Sequence, residues 1–148
     1  YYADVTEELF SVDKKKLLFY KDDLEVYGEN SNSGNIAALN NELNALSEKL
    51  EACCRSKLVL LPAPDKFNIY YNYISKKDKY NYSGFFEKFN ILDKKYIYID
   101  SKKVLSYLVK KSKDVYYFND THWSPVAAKV IAREIVKKTG TITAKPGN

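Results

Sequence analysis

The stretch "KYIYIDSKKVLSYLVKKSKDVYYFNDTHWSPVAAKVIAREI", residues 95–135, decides the fold class. It reads as strand, helix, strand, helix. "KYIYID" is short and rich in β-branched and aromatic residues, as a strand is. Asp100 and Ser101 end it and open a helix carrying Val104, Leu105 and Leu108 on one side. "DVYYF" is the next strand. Ser124 followed by Pro125 is a strong helix start, because a hydroxyl can cap and a proline suits the first helical position. Val126, Ala127, Val130, Ile131 and Ile135 give that last helix its inward face, and Gly140 marks its stop. Strands separated by helices imply a parallel sheet with right-handed crossovers. Ligands of such sheets bind beyond the carboxyl ends of the strands. The loop from Asn119 to Trp123 is therefore expected at a strand end, entering a helix.

The same alternation extends upstream. "KLLFY", Lys16–Tyr20, is strand-like and runs into an irregular stretch ending in "GENSNSGN". Ile36, Leu39, Leu43, Leu46 and Leu50 step by three and four, so they share one stripe of a helix capped near Ser33–Asn35. The stripe is expected to face the core of a crossover helix rather than a dimer seam. Lys57–Leu61 lacks alternation and suits a strand buried on both faces, stopped by Pro62 and Pro64. Asp65 can cap a short helix carrying Phe67, Tyr70, Tyr71 and Ile74, and 80–95 is expected to be helical around Phe85, Phe86 and Phe89.

A chain of 148 residues that is 45% hydrophobic is one domain with a real core. Its net charge of +5 suits an anionic partner such as an acidic glycan, a lipid surface or a nucleic acid, and equally a lysine-rich solvated face. The longest apolar run, around Leu58–Leu61, is strand-sized, far from the ~18–20 residues a membrane span needs. Adjacent Cys53 and Cys54 cannot clip a loop, and a bond between them is geometrically awkward. They read as small apolar residues at a helix end. With one histidine in the chain, a metal site lacks ligands.

That histidine, His122, stands two residues after Asp120 and beside the only tryptophan, Trp123. A carboxylate bonded to Nδ1 orients an imidazole and stabilises its conjugate acid, leaving Nε2 to take a proton from a hydroxyl. Residues two apart in an extended or tight-loop segment can project to one side. Asp120 and His122 can thus touch without help from the rest of the fold, with Trp123 walling the site or packing beneath it. Asp-x-His also arises by chance, and a lone histidine can equally be structural.

"YFNDTHWSPVAAKVIAREI" resembles the Asp-x-His-Trp block of SGNH hydrolase-like polysaccharide O-acetyltransferases, the domains of alginate-acetylation and DHHW proteins. "KLLFYKDDLEVYG" is similar to the segment that opens those domains. "KLVLLPAPDKFNIYYNYI" resembles their strand-Pro-x-x-Lys block, with Lys66 in the lysine position. The resemblance runs from about Lys16 to Val136. It implies an α/β, three-layer SGNH-like (flavodoxin-like) domain with a mainly parallel sheet. Asp120 and His122 become the catalytic pair, and Trp123, Lys66 and Tyr70 candidates for holding substrate. The implied partners are a polysaccharide and an acetyl donor, with room for a membrane-bound acyl-transfer partner, in the bacterial envelope, periplasm or exterior. No cofactor, metal or nucleic acid is implied. In this family the nucleophilic serine lies in a Gly-Asp-Ser-type turn downstream of the Asp-x-His block, and this sequence has no Gly-Asp-Ser. Residues 1–148 are accordingly expected to form one domain that is the first part of a longer protein, inactive by itself. The other reading is a glycan-binding or assembly domain without the serine.

Tyr70, Tyr71, Tyr73, Tyr80 and Tyr82 cluster in sequence and interleave with lysines. Tyrosines can stack on sugars, and they also pack in cores. The same pattern could track single-stranded nucleic acid, but no phosphate loop or RNA-binding signature accompanies it.

Overall fold

The computed structural model describes residues 1–12, 16–21 and 31–140. Asp22–Gly28 of the opening segment, and the start of "GENSNSGN", lie outside the described residues. The element order is β1 (Tyr2–Asp4), β2 (Lys16–Leu18), α1 (Ser33–Cys54), β3 (Val59–Leu60), α2 (Lys66–Tyr70), α3 (Phe85–Asn90), β4 (Ile97–Tyr98), α4 (Ser101–Val109) and α5 (Pro125–Thr139). Two short 3₁₀ turns, Tyr71–Tyr73 and Lys77–Lys79, link α2 to α3.

Local chemistry sets most boundaries. Asp65 accepts from the Asn68 N–H, Asp100 from Lys103 and Ser124 from Ala127, so each of α2, α4 and α5 begins on a side-chain cap. Asn32, one residue before the expected caps, accepts from Gly34 at 2.7 Å and opens α1. Helix α5 stops before Gly140, whose backbone stays right-handed, so the glycine's freedom is not used there.

β3 and β4 pair in parallel, Val59 with Ile97 and Leu60 with Tyr98, and the ladder continues through Ile99 N–H to the Leu60 carbonyl. β1 and β2 pair antiparallel, with Ala3 opposite Leu17. The expected mainly parallel sheet is, among the described residues, one parallel pair and one antiparallel pair. Val59 is 37% exposed rather than buried on both sides, because only β4 flanks β3 among the described residues. "DVYYF" adds no strand to this sheet. Its Tyr116 instead makes an isolated antiparallel bridge with Trp123.

Two cores form. The larger gathers Leu17, Phe19, Phe67, Tyr70, Leu105, Val115, Tyr116, Ala127 and Ile131, joining α2, α4, α5 and the small antiparallel sheet. The smaller joins Ile36 of α1 to Phe89 and Tyr96, with Leu43, Leu58 and Leu60 packed on it. The leucine stripe of α1 does not all face inward, as Leu39 and Leu46 are each 45% exposed. Ile36, Asn40 and Ser47 are the buried residues of that helix. The reason is polar: Asn40 and Ser47 donate to the carbonyls of Asp93 and Lys95, and that need turns the helix. Cys53 and Cys54 do end α1, but they are exposed and bonded to each other instead of packing as separate apolar groups.

Candidate functional site

The site grows from the turn between Tyr116 and Trp123. A run such as Asn-Asp-Thr favours a turn, since short polar side chains bond nearby backbone. Tyr117 N–H donates to the His122 carbonyl at 3.2 Å, and Ser124 N–H donates to Val115 at 3.0 Å. The chain therefore doubles back as a narrow hairpin, with Asn119–Thr121 at its tip. This differs from a loop leaving a parallel strand. Asp114, just before it, has a left-handed backbone (φ 57°) that redirects the chain. The carbonyls and amides that would bond a neighbouring strand are taken by side chains. Tyr116 N–H donates to the Tyr70 hydroxyl, and the Tyr117 and Phe118 carbonyls accept from Lys66.

At the tip, Asp120 Oδ1 lies 2.5 Å from His122 Nδ1 and accepts the His122 backbone N–H at 3.0 Å. One oxygen thus grips both the ring and the backbone of the same residue. The His122 side chain is 80% exposed and that of Asp120 48%. Nδ1 is engaged by the carboxylate, so Nε2 is the ring nitrogen left to meet an incoming hydroxyl. The hydrogen bond from the His122 side chain, followed by that from its backbone, holds the Asp120 carboxyl below its ordinary range.

The other three sequence candidates lie beneath this tip. Trp123 is half-buried, and its Nε1 donates to the Tyr116 hydroxyl at 2.6 Å. That hydroxyl donates in turn to the Pro64 carbonyl. Lys66 and Tyr70 are both fully buried, so neither side chain reaches solvent. Burial pushes the Tyr70 hydroxyl well above its ordinary pKa, so it stays protonated while accepting from Tyr116. Ser124, close to His122 in sequence, spends its oxygen on the α5 cap.

Family membership is decided by a comparison over nearly the whole chain. The model of the SGNH hydrolase-like domain of acetyltransferase AlgX matches residues 13–145. The chain belongs to this family. No curated protein and no solved structure gives a match. Within this SGNH hydrolase-like domain, helices with one parallel strand pair agree with the expected α/β class. Among the described residues, no group of three or more His, Cys, Asp and Glu is placed to hold a metal ion, and no helix is long and apolar enough to cross a membrane.

Sequence reasoning missed Tyr116 as a supporting residue. It looked like one more strand tyrosine. Its hydroxyl links Pro64 to Trp123 and so ties the start of α2 to the hairpin. A usable signal was present: aromatic residues flanking a turn-forming Asn-Asp-Thr run tend to face each other across the hairpin. The tyrosine cluster divides between core and surface. Tyr70 is buried, while Tyr71 and Tyr82 stack on each other at 4.5 Å, half-exposed.

Proposed function

We propose that this chain supplies the Asp–His half of a serine-dependent O-acetyltransferase or acetylesterase acting on an exported or cell-surface polysaccharide. The 2.5 Å contact between Asp120 and His122 Nδ1, with the ring largely in solvent, carries this reading. In the proposed reaction His122 Nε2 takes the proton of a serine hydroxyl while the serine oxygen attacks the acetyl carbonyl. The donor's alcohol leaves, taking that proton from the imidazolium, and an acetyl-serine remains. A sugar hydroxyl then gives its proton to His122 and attacks the acetyl-serine. The serine is released and recovers the proton. Water in place of the sugar gives the esterase outcome. Asp120 keeps the Nδ1–H tautomer and balances the transient imidazolium charge.

The serine is assigned outside these residues, since the sequence holds no Gly-Asp-Ser turn of the family's kind and Ser124, beside His122, is the α5 cap. The family, named for an acetyltransferase, supports an acetyl donor and a polysaccharide acceptor, and with them a periplasmic or extracellular place of action. A membrane-bound protein that hands over the acetyl group fits the same scheme.

The test is acetyl release from an activated ester by the full-length protein. His122→Ala and Asp120→Ala should each reduce it by about 10⁴-fold, the scale seen when a triad member is lost. Full activity in either variant would refute the assignment. A second reading, a glycan-holding domain without chemistry, draws on the cap role of Ser124. Polysaccharide binding without acylation of any serine in the full-length protein would favour it.

A further inference from the structure

We propose that Lys66 is the positioning residue of the Asp120–His122 pair, a role that rests on the acyl-transfer reading above. Its Nζ donates to the carbonyls of Phe118 at 2.7 Å, Tyr117 at 2.8 Å and Asp120 at 3.1 Å. An ammonium has three N–H donors, and three carbonyls of one turn converge on it. The third belongs to the carboxylate residue itself. A fixed Asp120 carbonyl fixes the start of the Asp120 side chain, and so the direction in which Oδ1 meets the imidazole.

Burial makes this a deliberate arrangement. Lys66 is fully buried, and an ammonium taken out of water persists only where polar partners replace its hydration. Its stem is fixed too. Lys66 is the first residue of α2, directly after the Asp65 cap, and Nζ lies 5.8 Å from the Phe10 ring centre. Phe10 also packs edge-on against Phe118. The neighbouring Pro64 carbonyl accepts from the Tyr116 hydroxyl, on the same leg of the hairpin as Tyr117 and Phe118, and that hydroxyl accepts from Trp123 on the other leg. Residues 64–66 thereby hold the first leg and the tip directly, and the second leg through the Tyr116–Trp123 bond. His122 itself is mostly in solvent, so little else around the ring can aim it. The geometry of an exposed pair is being set from below, by a charge that never meets substrate.

Long-range proton–nitrogen NMR on the full-length protein at neutral pH, with the His122 signals assigned by their loss in His122→Ala, reads its tautomer directly. The wild type should show mainly Nδ1–H, and Asp120→Ala should not. Lys66→Met, which keeps the stem and removes the donors, should lower the Nδ1–H to Nε2–H ratio by about tenfold, the worth of one charge-assisted hydrogen bond. Lys66→Gln, with two donors, should fall between. In the full-length protein Lys66→Met should lower kcat by about 100-fold, the cost of a small misplacement, with KM little changed. A folded Lys66→Met protein with the wild-type tautomer overturns the proposal. If neither variant folds, the wild type decides. On warming, the through-bond couplings from Lys66 Nζ to carbonyls 117, 118 and 120 should vanish together with the Nδ1–H tautomer, and a tautomer that outlasts them overturns it equally. The tautomer is read without turnover, so an inactive scaffold with an ordered pair would fail the catalytic reading and leave this one standing.

Discussion

Two loops of this protein are held by side chains reaching up from a helix, and they are held differently. The backbone of the 93–95 loop is gripped by α1 through neutral groups, with one solvent-exposed ion pair, Lys95–Glu48, beside them. Asn40 and Asn44 donate to the Asp93 carbonyl, Ser47 donates to the Lys95 carbonyl, and Asn44 accepts the Lys95 N–H. The 117–120 turn is gripped by α2 through one buried ammonium. Amides and hydroxyls tolerate partial exposure, because water can replace a lost bond at little net cost. A buried charge has no such reserve: its desolvation is balanced only while its partners stay in place. The first arrangement suits a loop that has only to close over a small core. The second suits a loop whose tip must hold two side chains at a set distance.

The comparison ranks its own tests. Lys66→Met should be the most damaging to stability, by about 3 kcal/mol, because three part-buried carbonyls lose their donor at about 1 kcal/mol each. Denaturant unfolding followed by tryptophan fluorescence measures this, since Trp123 sits in the affected hairpin. Asn40→Ala should cost less, about 1–2 kcal/mol, although it severs two bonds. Its Oδ1 accepts from the buried Tyr96 hydroxyl at 2.7 Å and its amide serves Asp93, whose carbonyl keeps Asn44. Equal losses from the two substitutions would remove the distinction between charged and neutral anchors.

The smallest effect is a titration. Hydrogen bonds from His122 hold the Asp120 carboxyl below the ordinary aspartate range. A carboxyl lowered in the folded state stabilises that state above its unfolded pKa, and the contribution fades as pH falls through the folded value. Asp120 lies in the open, so stability should barely register this. Carbon NMR of the carboxyl should place its midpoint below the ordinary aspartate value, and His122→Ala should raise it. An unchanged midpoint in that variant would show that the contact is not maintained in solution.

Much of this was readable from residue order. Capping chemistry is local, so Asp65, Asp100 and the Ser124–Pro125 pair marked their helices correctly. Asp120 and His122 are two apart, and nearness in sequence let their contact be anticipated. Periodicity misled where a polar need competed with it. In α1 the leucines suggested the buried side, while backbone groups some fifty residues away claimed Asn40 and Ser47. "DVYYF" had the composition of a strand, yet its backbone bonds go to the returning leg of its own hairpin and to the side chains of Tyr70 and Lys66, more than forty residues earlier.

Sequence alone thus determined where α2, α4 and α5 begin, that the chain is of the α/β class, and that an acid stands within reach of the one imidazole. Each of these depends on interactions spanning a few residues or on composition. Only the tertiary structure decided that the acid and imidazole ride on a hairpin tip, that half of the leucine stripe faces solvent, and that Lys66 lies under the turn instead of on the surface. Those outcomes depend on which distant carbonyls lack a donor once the chain is compact, and a local pattern carries no record of that.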